Sequence, residues 1–214
     1  ADQRDSAERA GYTVVDPPSI IATHLTEVIK RNAAEILGRQ EVKSILDTVK
    51  KDYPAVVDDV QQVLGTGEVQ KVLQGLLREQ ISVRNMVAIL ECLGDYGKVT
   101  KDIGFLIEKV RQSLSRQICM QYIDDERQLH VITLDPALEQ EIIESRVDTA
   151  GGAVAALAPD VHRKYITSLT NTVRQVQEVG YLPIILCQEA ARFLIKSSIS
   201  REMPDLVVLS VPEI

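Results

Sequence analysis

The sequence predicts an α+β chain of several subdomains: a short strand–helix segment, then an all-helical module, then a small α/β module with a mixed sheet. Three observations carry this reading. Residues 39–116 place apolar side chains at helical spacing, broken only by short Gly, Pro and Ser/Thr connections. Residues 118–214 alternate short β-rich runs with helical stretches. Within them, Leu206-Val207-Val208-Leu209 is a continuous apolar run, the pattern of a strand buried on both faces. The expected divisions are 1–38, the incomplete end of a first subdomain, then 39–117 and 118–214.

Residues 1–10 are polar and read as the end of a helix or a loop whose partner lies upstream. Tyr12–Val15 is aromatic and β-branched, as a strand prefers. Asp16 precedes Pro17 and is pushed out of helical geometry, and Pro17 can open a helix. Asp16 or Ser19 can cap the free amides that follow. A helix over about 18–37 then sets Ile21, Leu25, Val28, Ile29, Ala33 and Ile36 on one stripe, with Glu27 and Arg31 paired outside and Gly38 as the stop. A lone strand and helix cannot bury their apolar faces, so this segment calls for more chain upstream.

Five helices follow. The first carries Val42, Ile45, Leu46 and Val49, and Tyr53-Pro54 starts the second, with Val56, Val57 and Val60. Thr66 is the expected cap of the third, where Val69, Val72, Leu73, Leu76 and Leu77 fall at i, i+3, i+4, i+7 and i+8. Ser82 is expected to cap the fourth, which Gly94 and Gly97 end, and Thr100 the fifth, with Ile103, Leu106, Ile107, Val110 and Leu114.

Beyond these, Cys119–Ile123 and Leu129–Leu134 flank Asp124-Asp125-Glu126-Arg127 and read as a hairpin. Asp135-Pro136 opens a helix, Ala150–Ala158 reads as a loop, and Pro159 opens a long helix stopped by Gly180. Leu182–Leu186, a helix over about 188–200 and Leu206–Leu209 form a βαβ unit with an expected right-handed crossover.

Composition narrows the function. The 214 residues are 45% hydrophobic, enough for a sizeable core, and with no Trp and two Phe that core must be Leu, Ile and Val. The formal charge of −7 argues against sequence-independent nucleic-acid binding and against an anionic membrane surface. Cys92, Cys119 and Cys187 are odd in number and widely spaced, which reads as reduced thiols used as small buried hydrophobes. No apolar run approaches membrane-spanning length.

No catalytic signature is present: no GxxxxGK[ST], HExxH or GxSxG. His24, His130 and His162 fall in three different segments, and Asp124-Asp125-Glu126 lacks EF-hand spacing. An enzyme is therefore not expected, and no cofactor or metal is implied. A helix-turn-helix DNA-binding regulator is the distant alternative, built on helices at 68–79 and 83–94. The second of these offers only Arg84 and Asn85 at its start and then Met86, Val87, Ala88, Ile89 and Leu90, which packing explains better than base readout.

The words of the sequence add a resemblance. Gly11-Tyr12-Thr13-Val14-Val15-Asp16-Pro17-Pro18-Ser19-Ile20-Ile21-Ala22-Thr23-His24-Leu25 resembles a signature of the FlhA family (FHIPEP), the export-gate proteins of the bacterial flagellar type III secretion apparatus. The likeness continues through Leu37-Gly38-Arg39-Gln40-Glu41, Lys71–Glu79, Ser82–Met86, Val110-Arg111-Gln112, Leu114-Ser115-Arg116 and Leu206–Ser210, so it runs in order over nearly the whole chain. Paralogues of virulence secretion systems share the later motifs, while the Thr13–Asp16 and Ala22–Leu25 words favour the flagellar branch.

The resemblance implies a non-catalytic cytoplasmic part of the export gate, on the cytoplasmic side of the inner membrane. It implies membrane contact only through an N-terminal half that this chain lacks, and no nucleic acid. Implied partners are flagellar export chaperones with their cargo, other export-apparatus proteins and further copies of the chain in a nine-membered ring. Thr23, with Ala22, Ile20 and Val15, matches the family's chaperone-docking dimple. Read without the family, Thr23 is a mid-helix threonine bonded back to a carbonyl or simply exposed. Arg84, Glu79 and Arg78 cluster near a turn, either as a solvated charged corner or as contacts between ring subunits. Module hinges are expected near Gly38 and Gln117-Ile118.

Overall fold

A computed structural model describes residues 10–11, 13–149 and 152–214. The strand expected at Tyr12–Val15 falls partly outside these residues, and Thr13–Val15 belong to no strand. Residues 1–9, read as a helix end or loop, also lie outside them. The first helix, α1 (Pro17–Arg31), opens as expected on a proline, with Asp16 as N-cap. It breaks at Asn32, and a short α2 (Ala33–Ile36) follows. Gly38 does not stop that helix; it precedes α3.

All five expected helices of the central module are present: α3 (Arg39–Asp52), α4 (Pro54–Val63), α5 (Thr66–Arg78), α6 (Met86–Tyr96) and α7 (Ile103–Ser113). Their apolar stripes converge. Val42, Val60, Val72, Leu73, Ile89, Leu90, Leu106 and Val110 are wholly buried in one core.

The caps differ from the sequence reading by a few residues. Thr66 lies inside α5, whose first turn is held by Glu68 accepting the Gly65 N–H at 2.7 Å. Asp102, not Thr100, caps α7 by accepting the Phe105 N–H at 3.2 Å, while the Thr100 hydroxyl accepts the Asp102 N–H at 3.0 Å. Ser82 does not cap α6, which starts at Met86; its carbonyl instead accepts from Gln117 Nε2 at 2.9 Å. Gly94 sits inside α6, where an added Cβ would touch Val60 at 3.7 Å, so it serves close packing; Gly97 ends the helix.

The expected hairpin at Cys119–Ile123 and Leu129–Leu134 is not formed. The chain stays helical through α8 (Ser115–Cys119) because Ile118 is claimed by the helical core. A turn closed by Asp124 N–H to the Gln128 carbonyl at 3.0 Å leads to β1 (Ile132–Thr133). A hairpin does form where a loop was expected: β2 (Arg146–Thr149) pairs antiparallel with β3 (Gly152–Ala155), Val147 opposite Val154. The small residues of β3 hide the usual alternation, and Ala150 and Gly151 lie outside the described residues. α9 (Pro136–Glu144) and α10 (Pro159–Glu178) open on their prolines as expected.

The βαβ unit is present as β4 (Ile184–Cys187), α11 (Glu189–Ile199) and β5 (Val207–Ser210). Strand order is β1-β4-β5, all parallel, so parallel and antiparallel pairings occupy two separate sheets. The sheet is buried on both faces. Ile184 and Leu209 join the helical core, whereas Ile185, Cys187 and Val208 join a second core with Tyr165, Leu169, Leu194 and Ile195. This is the period-2 alternation of a strand used on both sides. The helical and α/β modules therefore share a wall, and the core runs across the division expected at 117.

Candidate functional site

Two features stand apart from the packed core: an uncovered helix at the N-terminal end and a buried cluster of charges near the C-terminal end. α1 contains no buried residue. Ile21 is 66% exposed and Leu25 55%, with Ile20, Val28 and Ile29 also exposed. Asp16 accepts the Ser19 N–H at 3.3 Å and the Ser19 hydroxyl at 2.7 Å, and these bonds hold its carboxyl below the usual range. Val15 and Ile20 occupy the two positions of a hydrophobic staple around that cap.

Ile20 and Thr23, at i and i+3, share one side of α1, while Ala22 lies around the helix, one turn before Thr26. The back-bond to a mid-helix carbonyl is made by Thr26, which donates to the Ala22 carbonyl at 2.8 Å. Thr23 makes no such bond and its side is open. The anchored part of the chain begins after Asn32: Ala34 is buried, and the Leu37 carbonyl accepts from Gln70 at 3.1 Å and Gln74 at 3.0 Å.

Of the three charges grouped at the turn after α5, Arg78 and Arg84 are exposed. Glu79 turns inward, its side chain 15% exposed, because two guanidiniums claim its carboxylate. Arg192 on α11 is fully buried. It donates to Glu79 Oε2 at 2.8 Å and Oε1 at 3.1 Å, and from the other edge to Glu108 Oε2 at 2.5 Å and to Glu108 Oε1. Arg111 on α7 donates to Glu79 at 3.0 Å, to Glu213 Oε1 at 2.7 Å and to the Val208 carbonyl at 3.2 Å. Glu213 also accepts the Ser210 N–H at 2.6 Å and hydroxyl at 2.8 Å. Two arginines and three glutamates thus tie α5, α7, α11, β5 and the final 3₁₀ turn (Val211–Glu213) together.

The electrostatics follow from burial and neighbours. Burial opposes ionisation of Glu79, but Arg192 and then Arg111 overcome it and hold the group at about 2. At Glu108 burial wins over Arg192 and pushes the carboxyl upward. Burial also works against the Arg192 charge, and Glu79 with Glu108 outweigh it. The sequence does carry a trace of the cluster. Arg111 sits in the stripe Ile107, Val110, Leu114 of α7, and Arg192 in the stripe Ile195, Ile199 of α11; a charge in an apolar stripe needs a buried partner. The chain's words alone do not say which carboxylates supply it.

The remaining candidates disperse. His130 contacts Asp124 at 3.0 Å and stacks on Tyr181 at 4.0 Å, far in sequence from His24 and His162. No group of three or more His, Cys, Asp or Glu among the described residues could hold a metal ion. The three cysteines are free, with Cys92 and Cys187 buried. α6 buries Met86, Ile89, Leu90, Cys92 and Leu93, and the side it leaves exposed carries Glu91 and Asp95, which repel a phosphate backbone. No helix among the described residues is long and apolar enough to cross a membrane.

Comparison with known proteins agrees with the motif reading. A flagellar biosynthesis protein FlhA from Borreliella burgdorferi is 52% identical over 213 residues, and one from Bacillus subtilis 40% over 212. Each alignment takes in 99–100% of this chain, and the chain spans about 31% of the length of these relatives. Among solved structures, the Chlamydia pneumoniae CdsV protein superposes with a TM-score of 0.88 at 29% identity, over all of this chain and 61% of that one. The nonameric SctV-C from EPEC superposes with a TM-score of 0.80 at 28% identity, over 91% of this chain and 58% of that one. The FHIPEP family model matches residues 1–214. The chain belongs to the FHIPEP family.

Proposed function

We propose that this chain is a non-catalytic part of a bacterial flagellar type III export gate, on the cytoplasmic side of the inner membrane, and that α1 with the turn before it docks export chaperones carrying cargo. The flagellar assignment is supported by identities of up to 52% to flagellar biosynthesis proteins, against 26–29% to the CdsV, MxiA and InvA structures. The observation that carries the docking reading is that α1 is uncovered all round, with Ile20 and Thr23 together on one side and the Ile21, Leu25 and Val28 stripe exposed on another. A contiguous exposed apolar face of this kind marks an interaction surface. Val15 extends the Ile20 side before the Asp16 cap, and Ala22 lies around the helix from it.

In the same reading, the exposed Arg78 and Arg84 contact a neighbouring subunit of a ring, as the nonameric relatives suggest. The solved complex of CdsV with CdsO supports further export-apparatus partners. The divisions at 38 and 117 would be subdomain borders; the wholly buried Ile118 in the shared core leaves no free joint at Gln117-Ile118, and the joint expected near Gly38 is read at the helix break at Asn32.

The test is Thr23→Asp in a protein carrying the complete cytoplasmic domain, titrated calorimetrically with a flagellar chaperone–cargo complex. The expected loss is at least about tenfold, ~1.4 kcal/mol, with the melting temperature unchanged. Undiminished affinity would remove Thr23 from the docking surface.

A further inference from the structure

A groove separates the ends of α5 and α7 from α11 and the β2–β3 ribbon, and beneath it the buried Arg192 guanidinium joins Glu79 and Glu108, which line its two cavities. On the Glu108 side lies a cavity of about 480 Å³, and on the Glu79 side one of about 1,020 Å³. Asp102, Gly104, Ala153 and Phe193 line both. Phe193 follows Arg192 on α11 and wedges between Gly104 and Gly152, where added Cβ atoms would touch its ring at 3.7 and 3.6 Å. The two carboxylates come from one wall and the guanidinium from the other, so charge spans a gap that apolar packing leaves partly open.

We propose that Arg192 is the bolt of a conformational latch: while it clamps Glu79 and Glu108 the groove stays narrow, and its release lets α11 and the ribbon swing away from α5 and α7. Buried ion pairs favour two discrete states, because the charges are either matched at contact distance or must be hydrated separately. The flanking cavities supply room for that hydration. Release leaves Glu79 still paired with Arg111, so only Glu108 and Arg192 need new partners. Lys196, one turn beyond Arg192, is tethered on its own wall by the Pro204 and Leu206 carbonyls, both at 2.8 Å, and moves with α11. The latch uses no residue of α1 and stands apart from the docking reading.

Spin labels placed through Lys71→Cys and Ser200→Cys, on opposite walls of the larger cavity, report its width in the full chain with Cys119→Ser. The native protein should give one short distance. Arg192→Met should add a longer population, because two buried carboxylates then lack their shared cation. Arg192→Met/Glu79→Gln/Glu108→Gln should return the short distance. If Arg192→Met keeps the native distance, or the triple variant opens as far as the single one, closure belongs to packing and the latch is overturned. Should Arg192→Met fail to fold, Arg192→Lys keeps the charge but cannot fork two carboxylates, and should show both populations. A purely native distribution in that variant overturns the proposal equally.

Discussion

α1 and α6 are both amphipathic helices rich in Ile, Leu and Val, yet one buries nothing and the other buries six residues. The difference lies only partly in their own sequences, α6 being the more apolar. α6 is flanked by α4 and α7, whose stripes point at it, while α1 has a break at Asn32 and no facing stripe within the described residues. An apolar stripe states that a face is to be covered; it does not state by what. For α6 the cover is the chain itself, and for α1 we propose that it is in part another polypeptide.

The sharpest way to break this contrast is to truncate one side chain in each region. Leu73→Ala, wholly inside the helical core, should cost about 2–5 kcal/mol through lost transfer and a cavity. Ile21→Ala on α1 should change stability by less than about 0.5 kcal/mol. Denaturant midpoints of the two variants measure both; equal losses would mean that α1 is packed after all.

Acid titration tests the buried charges next. The Glu79 carboxyl is depressed from 4.5 to about 2, so the folded state binds its proton less readily than the unfolded state. Its contribution is fully present above about pH 4.5 and is lost as pH falls toward 2. Stability measured across that window should fall, and Glu79→Gln should flatten the slope. Glu108 works with the opposite sign, because burial raises it and the folded chain takes up its proton more readily.

Smaller effects than the core truncation come from two of the aspartate caps. Asp102→Ala should cost about 1 kcal/mol of global stability, since α7 is part of the core. Asp16→Ala should leave the melting temperature unchanged and speed hydrogen exchange only in the first turn of α1.

The helical module was legible because Val69, Val72, Leu73 and Leu76 repeat at a period that only a helix turns to one side. The β4–α11–β5 unit was legible from its continuous apolar runs. The misplaced hairpin has a simple cause: Cys119–Ile123 suits a strand locally, but the core's claim on Ile118 carries the helix on to Cys119 and turns follow. β2–β3 escaped notice because Gly152, Ala153 and Ala155 carry no strand signature. The caps were missed by one to three residues: at α7 the Thr100 hydroxyl takes the Asp102 N–H, and Asp102 takes the Phe105 N–H that a cap should hold. At the candidate site, periodicity placed the α1 stripe, whereas Thr23 lies off that stripe and was singled out through family likeness. Glu79 was grouped with surface arginines because a linear reading cannot see Arg192 arriving from a distant helix.

The Val208 carbonyl offers a last consequence. β5 ends the parallel sheet, and a terminal strand with vacant hydrogen-bond acceptors is an invitation to uncontrolled polymerisation. Arg111 plugs that acceptor from the side. With that acceptor filled and Val208, Leu209 and Ser210 buried, this edge of the sheet is not free to take up another strand.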